Sequence, residues 1–190
     1  MKTILVCILL FAPVISFSQK NNIQLIIGGG PSFNGTGDMK GYNFLNEADI
    51  ELRKRWFISP GLQFTSHATS TTIGYSQINY VTAGINIFTG INYLLVDKNR
   101  HRFAIGAGPV VRFQYSSVPV EAGSTLSVSG EQVIFLKYDK LHTTSIGYNV
   151  TPAYYYQCSK KISIGTKFIL QNDSRGELIS SALIFVSVAL

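Results

Sequence analysis

From residue 22 onward, hydrophobic and polar residues alternate with a period of two. This period is typical of a β-strand whose two faces meet different surroundings. The clearest alternation covers residues 102–116, where a row of apolar side chains is offset by one position from a row of glycine and polar residues. Residues 80–96 and 143–157 repeat the pattern, and no stretch holds the 3.6-residue period of an amphipathic helix. The pattern therefore predicts a protein made of strands.

Weaker alternation predicts five further strands, at residues 22–34, 42–53, 56–67, 161–171 and 177–190. Most of the eight segments reach the roughly 9–11 residues that a tilted strand needs to cross a bilayer. An even number of antiparallel strands brings both ends of a closed barrel to the same side. We therefore predict an all-β fold, an eight-stranded antiparallel transmembrane β-barrel in an up-and-down meander, over residues 19–190.

The connections alternate in length along the chain. Short basic turns are predicted at residues 53–55, 97–101 and 158–160, whereas longer connections cover residues 35–41, 68–77, 117–142 and 172–176. Short turns at one end and longer loops at the other are typical of bacterial outer-membrane barrels. The residues of the longest loop alternate on both sides of Ser129 and Gly130, which predicts a hairpin that protrudes beyond the membrane. An exposed hairpin edge is a surface to which a protein partner could add a strand.

Composition decides which face of the strands points inward. The chain is 46% hydrophobic and only 14% charged, with a net charge of +6 and 17 glycines. In a soluble lipocalin-like barrel the apolar face lines the cavity, and the face rich in glycine, asparagine, serine and threonine would have to meet water. In a membrane barrel the apolar face meets lipid. Aromatic residues of the apolar face collect near strand ends, as they do at membrane interfaces, which favours the membrane barrel.

The first 18 residues predict a secretory signal peptide that is removed from the mature protein. Lys2 precedes a short apolar run, and small residues follow at Ser16 and Ser18. We place the cleavage site after Ser18, so that the mature chain begins at Gln19. Cys158 is then the one cysteine left in the mature chain, which excludes an internal disulfide.

Charged residues on the inward face predict an interior polar network. Glu47, Asp49, Glu51 and Arg53 follow one another at every second position, and Arg112 and Lys167 are cations on the inward face of other strands. Buried charges persist in a narrow barrel only when they are paired, so we interpret the set as a salt-bridged plug that closes the interior. The alternative is a polar conduit, for which the many inward glycines would leave space.

Catalytic chemistry has little support in the sequence. Ser66 and His67 are neighbours, so their side chains would point to opposite faces of a strand. His142, Thr144 and Ser145, with Asp139 nearby, form a second candidate group. We expect no catalytic residues, no cofactor and no metal site, and we expect no nucleic-acid partner because much of the positive charge lies at the short turns.

The mature chain resembles the small outer-membrane barrels of the OmpX and OmpA type, with their leader, eight alternating strands and amphipathic last strand. The opening IIGGGP at residues 26–31 and the sequence KKISIG at residues 160–165 are similar to the PorT-like branch. The resemblance implies insertion by the outer-membrane assembly machinery, which reads the last strand. Residues fitting that alternation are Ala182, Ile184, Val186, Val188 and Leu190.

We therefore predict a non-enzymatic, monomeric barrel in the outer membrane of a Gram-negative cell envelope, in contact with lipid and with both mature termini in the periplasm. Its expected role is structural or an interaction through its surface loops, with a protein partner at residues 117–142. Three other functions remain open, namely a narrow pore for small solutes, a lipid-modifying enzyme and a soluble lipocalin-like binder.

Overall fold

The computed structural model describes residues 23–35, 39–73, 76–126 and 132–190, which form eight β-strands. No helix in these ranges is long and apolar enough to cross a membrane. The predicted signal peptide and its cleavage residues Ser16, Ser18 and Gln19 lie outside the described residues. The strands are β1 (Ile23–Asn34), β2 (Met39–Arg53), β3 (Trp56–Ile73), β4 (Ser76–Lys98), β5 (His101–Leu126), β6 (Gln132–Gln157), β7 (Ile162–Asp173) and β8 (Leu178–Ala189).

The strands pair antiparallel in chain order, and β8 returns to pair with β1, so the sheet closes into a barrel. Residue 23, residue 189 and the three short turns at residues 54–55, 99–100 and 158–161 lie at one end, which we call the turn end. The opposite end, the loop end, carries the connections after Asn34, Ile73, Leu126 and Asp173. The predicted eight-stranded antiparallel barrel is confirmed.

One of the longer connections differs from the prediction, and another agrees with it. Residues 68–77 belong almost entirely to strands, because β3 continues to Ile73 and β4 starts at Ser76. The predicted hairpin is present, since β5 and β6 are each 26 residues long and pair with one another from His101 to Leu126, and its protrusion beyond the membrane stays a prediction. The predicted turn at Ser129 and Gly130 lies outside the described residues.

The apolar face of the barrel points outward. Side chains such as Ile184, Ile27 and Ile146 are 72%, 66% and 64% exposed, whereas most of the polar residues on the opposite face of the strands are buried. This arrangement is the reverse of a lipocalin-like barrel. Exposed aromatic side chains lie near strand ends at Tyr42, Phe44, Trp56, Phe103 and Tyr154, and within the longer strands at Phe64, Phe113 and Tyr148.

The interior is only partly polar, which corrects the sequence-based expectation. An apolar layer crosses the middle of the lumen, where the inward positions of the strands hold large hydrophobic side chains. Bulky residues fill an eight-stranded barrel because its interior is just wide enough for its own side chains. We define the apolar layer as Ile26, Leu45, Phe88, Val110, Ile169, Leu183 and Phe185, and the same cluster continues towards the turn end through Leu94, Ala104, Ala153 and Tyr155.

Several inward glycines make room for this layer instead of leaving open space. A Cβ atom at Gly61 would lie 2.4 Å from Cζ of Phe88, and one at Gly165 would lie 2.5 Å from Cζ of Phe185. Gly28 approaches the same phenylalanine, since its Cβ would lie 2.8 Å from Cβ of Phe185. At these positions the space that the conduit interpretation required is therefore occupied by aromatic rings.

Candidate functional site in the barrel lumen

The apolar layer divides the buried polar residues into a turn-side half and a loop-side half. The turn-side half contains a buried ion pair between β7 and β2, in which Lys167 Nζ donates to Glu47 Oε1 at 2.5 Å. Both side chains are at most 2% exposed. A buried carboxylate needs such a partner because burying an unpaired carboxylate costs on the order of several kcal/mol.

Asp49 lies two residues beyond Glu47 and is held by hydroxyl groups from two other strands. Ser59 Oγ donates to Asp49 Oδ1 at 2.5 Å, and Tyr155 Oη donates to Asp49 Oδ2 at 3.1 Å. Asn92 Nδ2 donates to Ser59 Oγ at 2.5 Å. Because β2 and β6 are four strands apart in a ring of eight, the bond between Tyr155 and Asp49 spans the lumen.

The loop-side half is organised around Glu177, which follows β7 in the connection to β8. Arg112 Nη1 donates to Glu177 Oε2 at 2.7 Å, and Gln114 Nε2 donates to Oε1 at 3.2 Å, both from β5. Asn34 Nδ2 from β1 also donates to Oε2 at 3.2 Å. Glu177 therefore connects opposite walls of the barrel across the loop end, while its side chain remains 30% exposed.

Asp173 holds Glu177 in this position. Its Oδ1 accepts hydrogen bonds from the backbone N–H of Arg175 at 3.0 Å and of Glu177 at 3.2 Å. Its Oδ2 accepts from Ser145 Oγ at 2.8 Å and lies 3.7 Å from Arg112 Nη1. One guanidinium group thus faces two carboxylates, and the net charge of this trio is negative.

Amide and hydroxyl groups fill the rest of the loop-side half. Asn86 Nδ2 donates to Gln63 Oε1 at 3.3 Å and to Gln171 Oε1 at 3.1 Å, which joins β4 to the neighbouring β3 and to β7. His67 Nε2 and Ser32 Oγ lie 2.8 Å apart. These groups line the lumen between the apolar layer and Glu177.

The two halves differ in how completely their polar atoms are bonded. Among the described residues, ten buried side-chain nitrogen and oxygen atoms have no hydrogen-bond partner, and all belong to residues on the loop side of the apolar layer. Two of these atoms are Nε and Nη2 of Arg112, a residue with no exposed surface. The other unpartnered atoms belong to Asn34, Asn43, Gln63, Thr65, His67, Asn86, Gln114 and Gln171.

The predicted interior network is thus two separate groups of residues. Glu47, Asp49 and Lys167 are buried together in the turn-side half, and Glu51 on the same strand is partly buried. Arg112 does not oppose the β2 carboxylates, because it contacts Asp173 and Glu177 in the other half.

Arg53 is a further correction, since it is exposed where β2 ends. The pairing of β2 with β3 is irregular between Glu51 and Arg53, so the strict alternation that predicted an inward side chain stops there. The interpretation of the two groups as a plug stays a prediction.

Sequence reasoning missed three residues that complete these groups. Asp173 continues the inward alternation of β7 two positions after Gln171, so the period of two could have identified it. Tyr155 lies among three tyrosines, and the alternation assigns it to the inward face. Glu177 lies in a connection rather than a strand, and no periodic signal marks its contact with Arg112.

The residues considered for catalysis are not brought together. His67 is buried against Ser32 while the neighbouring Ser66 is exposed on the outer face. His142 is exposed on the outer face against Tyr115, whereas Ser145 points inward to Asp173. His142 and Thr144 line a shallow outer groove of about 570 Å³. The described ranges contain no group of three or more metal-ligating side chains.

Comparison with known proteins supports the fold at low sequence identity. The chain is similar to Ail, the attachment invasion locus protein of Yersinia pestis, with a TM-score of 0.53 and 7% identity over 90% of this chain and 100% of that one. It is similar to Neisserial surface protein A, with a TM-score of 0.53 and 12% identity over 88% and 96%.

A third similar structure is the N-terminal β-barrel domain of Pseudomonas aeruginosa OprF, with a TM-score of 0.52 and 9% identity over 90% of this chain and 98% of that one. No protein-family model and no curated protein sequence matches the chain. Eight antiparallel strands, an outward apolar face and these neighbours agree, and the chain has the fold of the small eight-stranded outer-membrane β-barrels.

Proposed function

We propose that this chain is an integral outer-membrane barrel with a closed lumen and no enzymatic activity, which interacts with a partner through the hairpin formed by β5 and β6. It is inserted as a monomer by the outer-membrane assembly machinery, for which the outward residues of β8 supply the recognition pattern. The fold and the apolar outer face support the membrane location, and the hairpin carries the proposal of an interaction.

The hairpin is supported by the difference in length between neighbouring strands. β4 pairs with β5 only as far as Ser117, and β7 pairs with β6 only from Gly147. Residues 118–126 of β5 therefore pair with residues 132–139 of β6 and with no further strand among the described residues, and residues 140–145 of β6 pair with β5 alone. Such a two-stranded extension exposes backbone N–H and C=O groups along both edges, and an extended segment of a partner protein can pair with them.

Deletion of residues 122–133 tests the role of the hairpin. The shortened barrel should fold, because the deleted segment pairs only within the hairpin. A photo-reactive residue in place of Lys140 should give a cross-linked adduct in intact outer membranes, and the deletion should abolish this adduct. A matched photo-reactive residue at Lys54, in a turn-end connection, should give no such adduct. If the deletion prevents folding, the hairpin is a structural element and the proposal is wrong.

The filled lumen favours a barrel that does not conduct over a narrow pore. The apolar layer lies between the two polar halves, and the Tyr155–Asp49 bond crosses the lumen on its turn side. Single-channel recordings of the refolded chain in planar bilayers should therefore show no stable conductance steps. Reproducible conductance steps from the refolded chain would favour the pore instead.

The orientation in the membrane has a reporter in the native chain. Cys158 is a free, exposed cysteine in the turn between β6 and β7. If the turn end and both mature termini are periplasmic, a membrane-impermeant maleimide should label Cys158 only after the outer membrane is permeabilised. Arg175→Cys in a Cys158→Ser background is the matched control at the loop end and should be labelled in intact cells. The reverse labelling would overturn the proposed orientation.

A further inference from the structure

Asn46 places a side-chain amide on the outer face of the barrel, among residues that otherwise meet lipid. It is the central residue of the 15-residue strand β2, and the residues paired with it on β1 and β3, Ile27 and Leu62, are apolar. The amide is partly exposed and has no hydrogen-bond partner among the described residues. Hydrocarbon supplies neither donors nor acceptors, so a polar side chain at this depth is stabilised by a polar group of another membrane-embedded molecule.

The backbone leaves a second polar group unbonded beside Asn46. The ladder between β2 and β3 is interrupted at Ala48 and Pro60, although it continues on both sides of them. Leu94 N–H donates to the carbonyl of Arg55, so odd-numbered residues of β3 bond to β4 and even-numbered ones, Pro60 included, face β2. Because proline has no N–H, the carbonyl of Ala48 receives no hydrogen bond from β3.

Both groups border an apolar groove of about 330 Å³ on the outer face of β1–β4. Ala48, which lines the groove, is only 7% exposed although it lies on the outer face. Beside it, Ile27 and Phe44 protrude, with exposed fractions of 66% and 62%. A projecting row next to a groove can pack against a copy of itself, and small residues accompanied by a polar side chain are typical of contacts between membrane-spanning segments.

The chemistry of the amide favours a second copy of this chain over a lipid as the occupant. An acyl chain would fill the groove but would leave the Asn46 amide without a partner. A second Asn46 side chain brings both a donor and an acceptor, so two copies related by a two-fold axis exchange two hydrogen bonds. The outward residues that line the groove are uncharged, so two chains meet there without electrostatic repulsion.

We propose that the outer face of β1–β3 binds a second copy of this chain, with the two Asn46 amides hydrogen-bonded to each other. The two-fold axis is normal to the membrane, because both copies are inserted in the same direction. The pair forms in the membrane after each chain has been inserted as a monomer. Because β2 and β6 are four strands apart in the ring of eight, the hairpin of β5 and β6 stays free on the opposite wall.

Energy transfer between labelled chains in phosphatidylcholine vesicles tests the pairing. The free, exposed Cys158 carries either a donor or an acceptor dye in every variant. Transfer should rise with the protein-to-lipid ratio and saturate at the value of a two-chain complex. Asn46→Leu should weaken the association about tenfold, whereas Asn46→Gln, which keeps the amide, should largely preserve it.

Thr166→Val is the matched control, since it also removes a polar group from the outer face but lies on β7. It should leave the association unchanged. Transfer that stays at the level of random encounters at every ratio would overturn the proposal. Equal weakening by Asn46→Leu and Thr166→Val, or full association of Asn46→Leu, would overturn the role of the amide pair.

Cross-linking in intact outer membranes separates self-association from other occupants. A photo-reactive residue in place of Ile27 should give an adduct of twice the mass of the chain. The same residue in place of Ile146 on the opposite wall, which is 64% exposed, should give no adduct of that mass. Deletion of residues 122–133 should leave the Ile27 adduct intact, which distinguishes this contact from the proposed role of the hairpin. Adducts only with lipid or with a different protein would overturn the proposal.

Discussion

The two halves of the lumen are built from the same eight strands and the same alternation, but they differ in how completely their buried polar atoms are bonded to other protein groups. In the turn-side half, Glu47 forms an ion pair with Lys167, and Asp49 accepts hydrogen bonds from the hydroxyl groups of Ser59 and Tyr155. In the loop-side half, Arg112 uses one nitrogen for Glu177 and leaves two without a protein partner.

This difference follows from where each half can obtain hydrogen bonds. The turn-side half lies beside short connections, and its charged groups Glu47, Asp49 and Lys167 are bonded to protein partners. The loop-side half is covered by Glu177, whose side chain is 30% exposed to solvent. Removing one partner of a fully buried ion pair is costly, whereas a carboxylate that reaches solvent is less sensitive to substitution. The two halves should therefore respond unequally to mutation.

The largest effect is expected from Lys167→Met in the turn-side half. Removing the cation leaves Glu47 buried beside Asp49 without its partner, and we expect a loss of about 3–5 kcal/mol in the free energy of unfolding. Urea unfolding in micelles, followed by the heat-dependent change in gel mobility, measures it. Combining Lys167→Met with Glu47→Gln should restore most of the stability, because no unpaired charge remains. A double variant as unstable as the single one would contradict this account.

A somewhat smaller loss is expected from Phe88→Ala in the apolar layer. Removal of a buried ring leaves a cavity, because Gly61 and its neighbours are fixed in the sheet, and the expected cost is about 3 kcal/mol in the free energy of unfolding. Ile87→Ala is the matched control, since Ile87 is adjacent but 49% exposed on the outer face. The same unfolding assay compares them. Equal losses in the two variants would show that the layer does not hold the barrel together.

A smaller loss is expected from Glu177→Gln in the loop-side half. The amide oxygen of glutamine can still accept a hydrogen bond from Arg112, and Asp173 remains 3.7 Å from the guanidinium group. We therefore expect the free energy of unfolding to fall by about 1 kcal/mol.

 Asp173→Asn is the informative comparison, because Asp173 also holds the backbone of the connection, and its loss should exceed that of Glu177→Gln. If Glu177→Gln destabilises as strongly as Lys167→Met, the two halves are not different in the way described.

The smallest effect is expected from Arg53→Ala. Arg53 is exposed at the turn end, and substitutions at such positions usually change the free energy of unfolding by less than about 0.5 kcal/mol. The measurement is the same unfolding midpoint in urea, with Lys54→Ala as the control in the adjacent turn. A loss of several kcal/mol would mean that Arg53 belongs to the interior network after all.

The period of two was sufficient to predict the strands and the face of most residues. It assigned Glu47, Asp49, Arg112 and Lys167 to the interior, where all four are buried. It failed at Arg53 because the pairing of β2 with β3 becomes irregular there, and an irregular pair breaks the link between position and face.

Partners across the lumen could not be predicted in the same way. Alternation fixes the face of a residue but not its height relative to a strand three or four places away in the ring. Lys167 therefore could not be matched to Glu47, and Arg112 could not be matched to Glu177, which lies outside any strand. The apolar layer was missed because an inward phenylalanine beside an inward glycine on the next strand has no signature within either strand alone.

The position of Phe185 between two glycines has a consequence for how the barrel closes. Phe185 lies on the last strand, opposite Gly28 on β1 and Gly165 on β7. A slip of two residues between β8 and β1 would keep every side chain on its proper face, but in one direction it would set the Phe185 ring opposite Ile26 instead of Gly28. Steric overlap inside the lumen therefore disfavours closure of the barrel in that register, even though the outer surface keeps its apolar character.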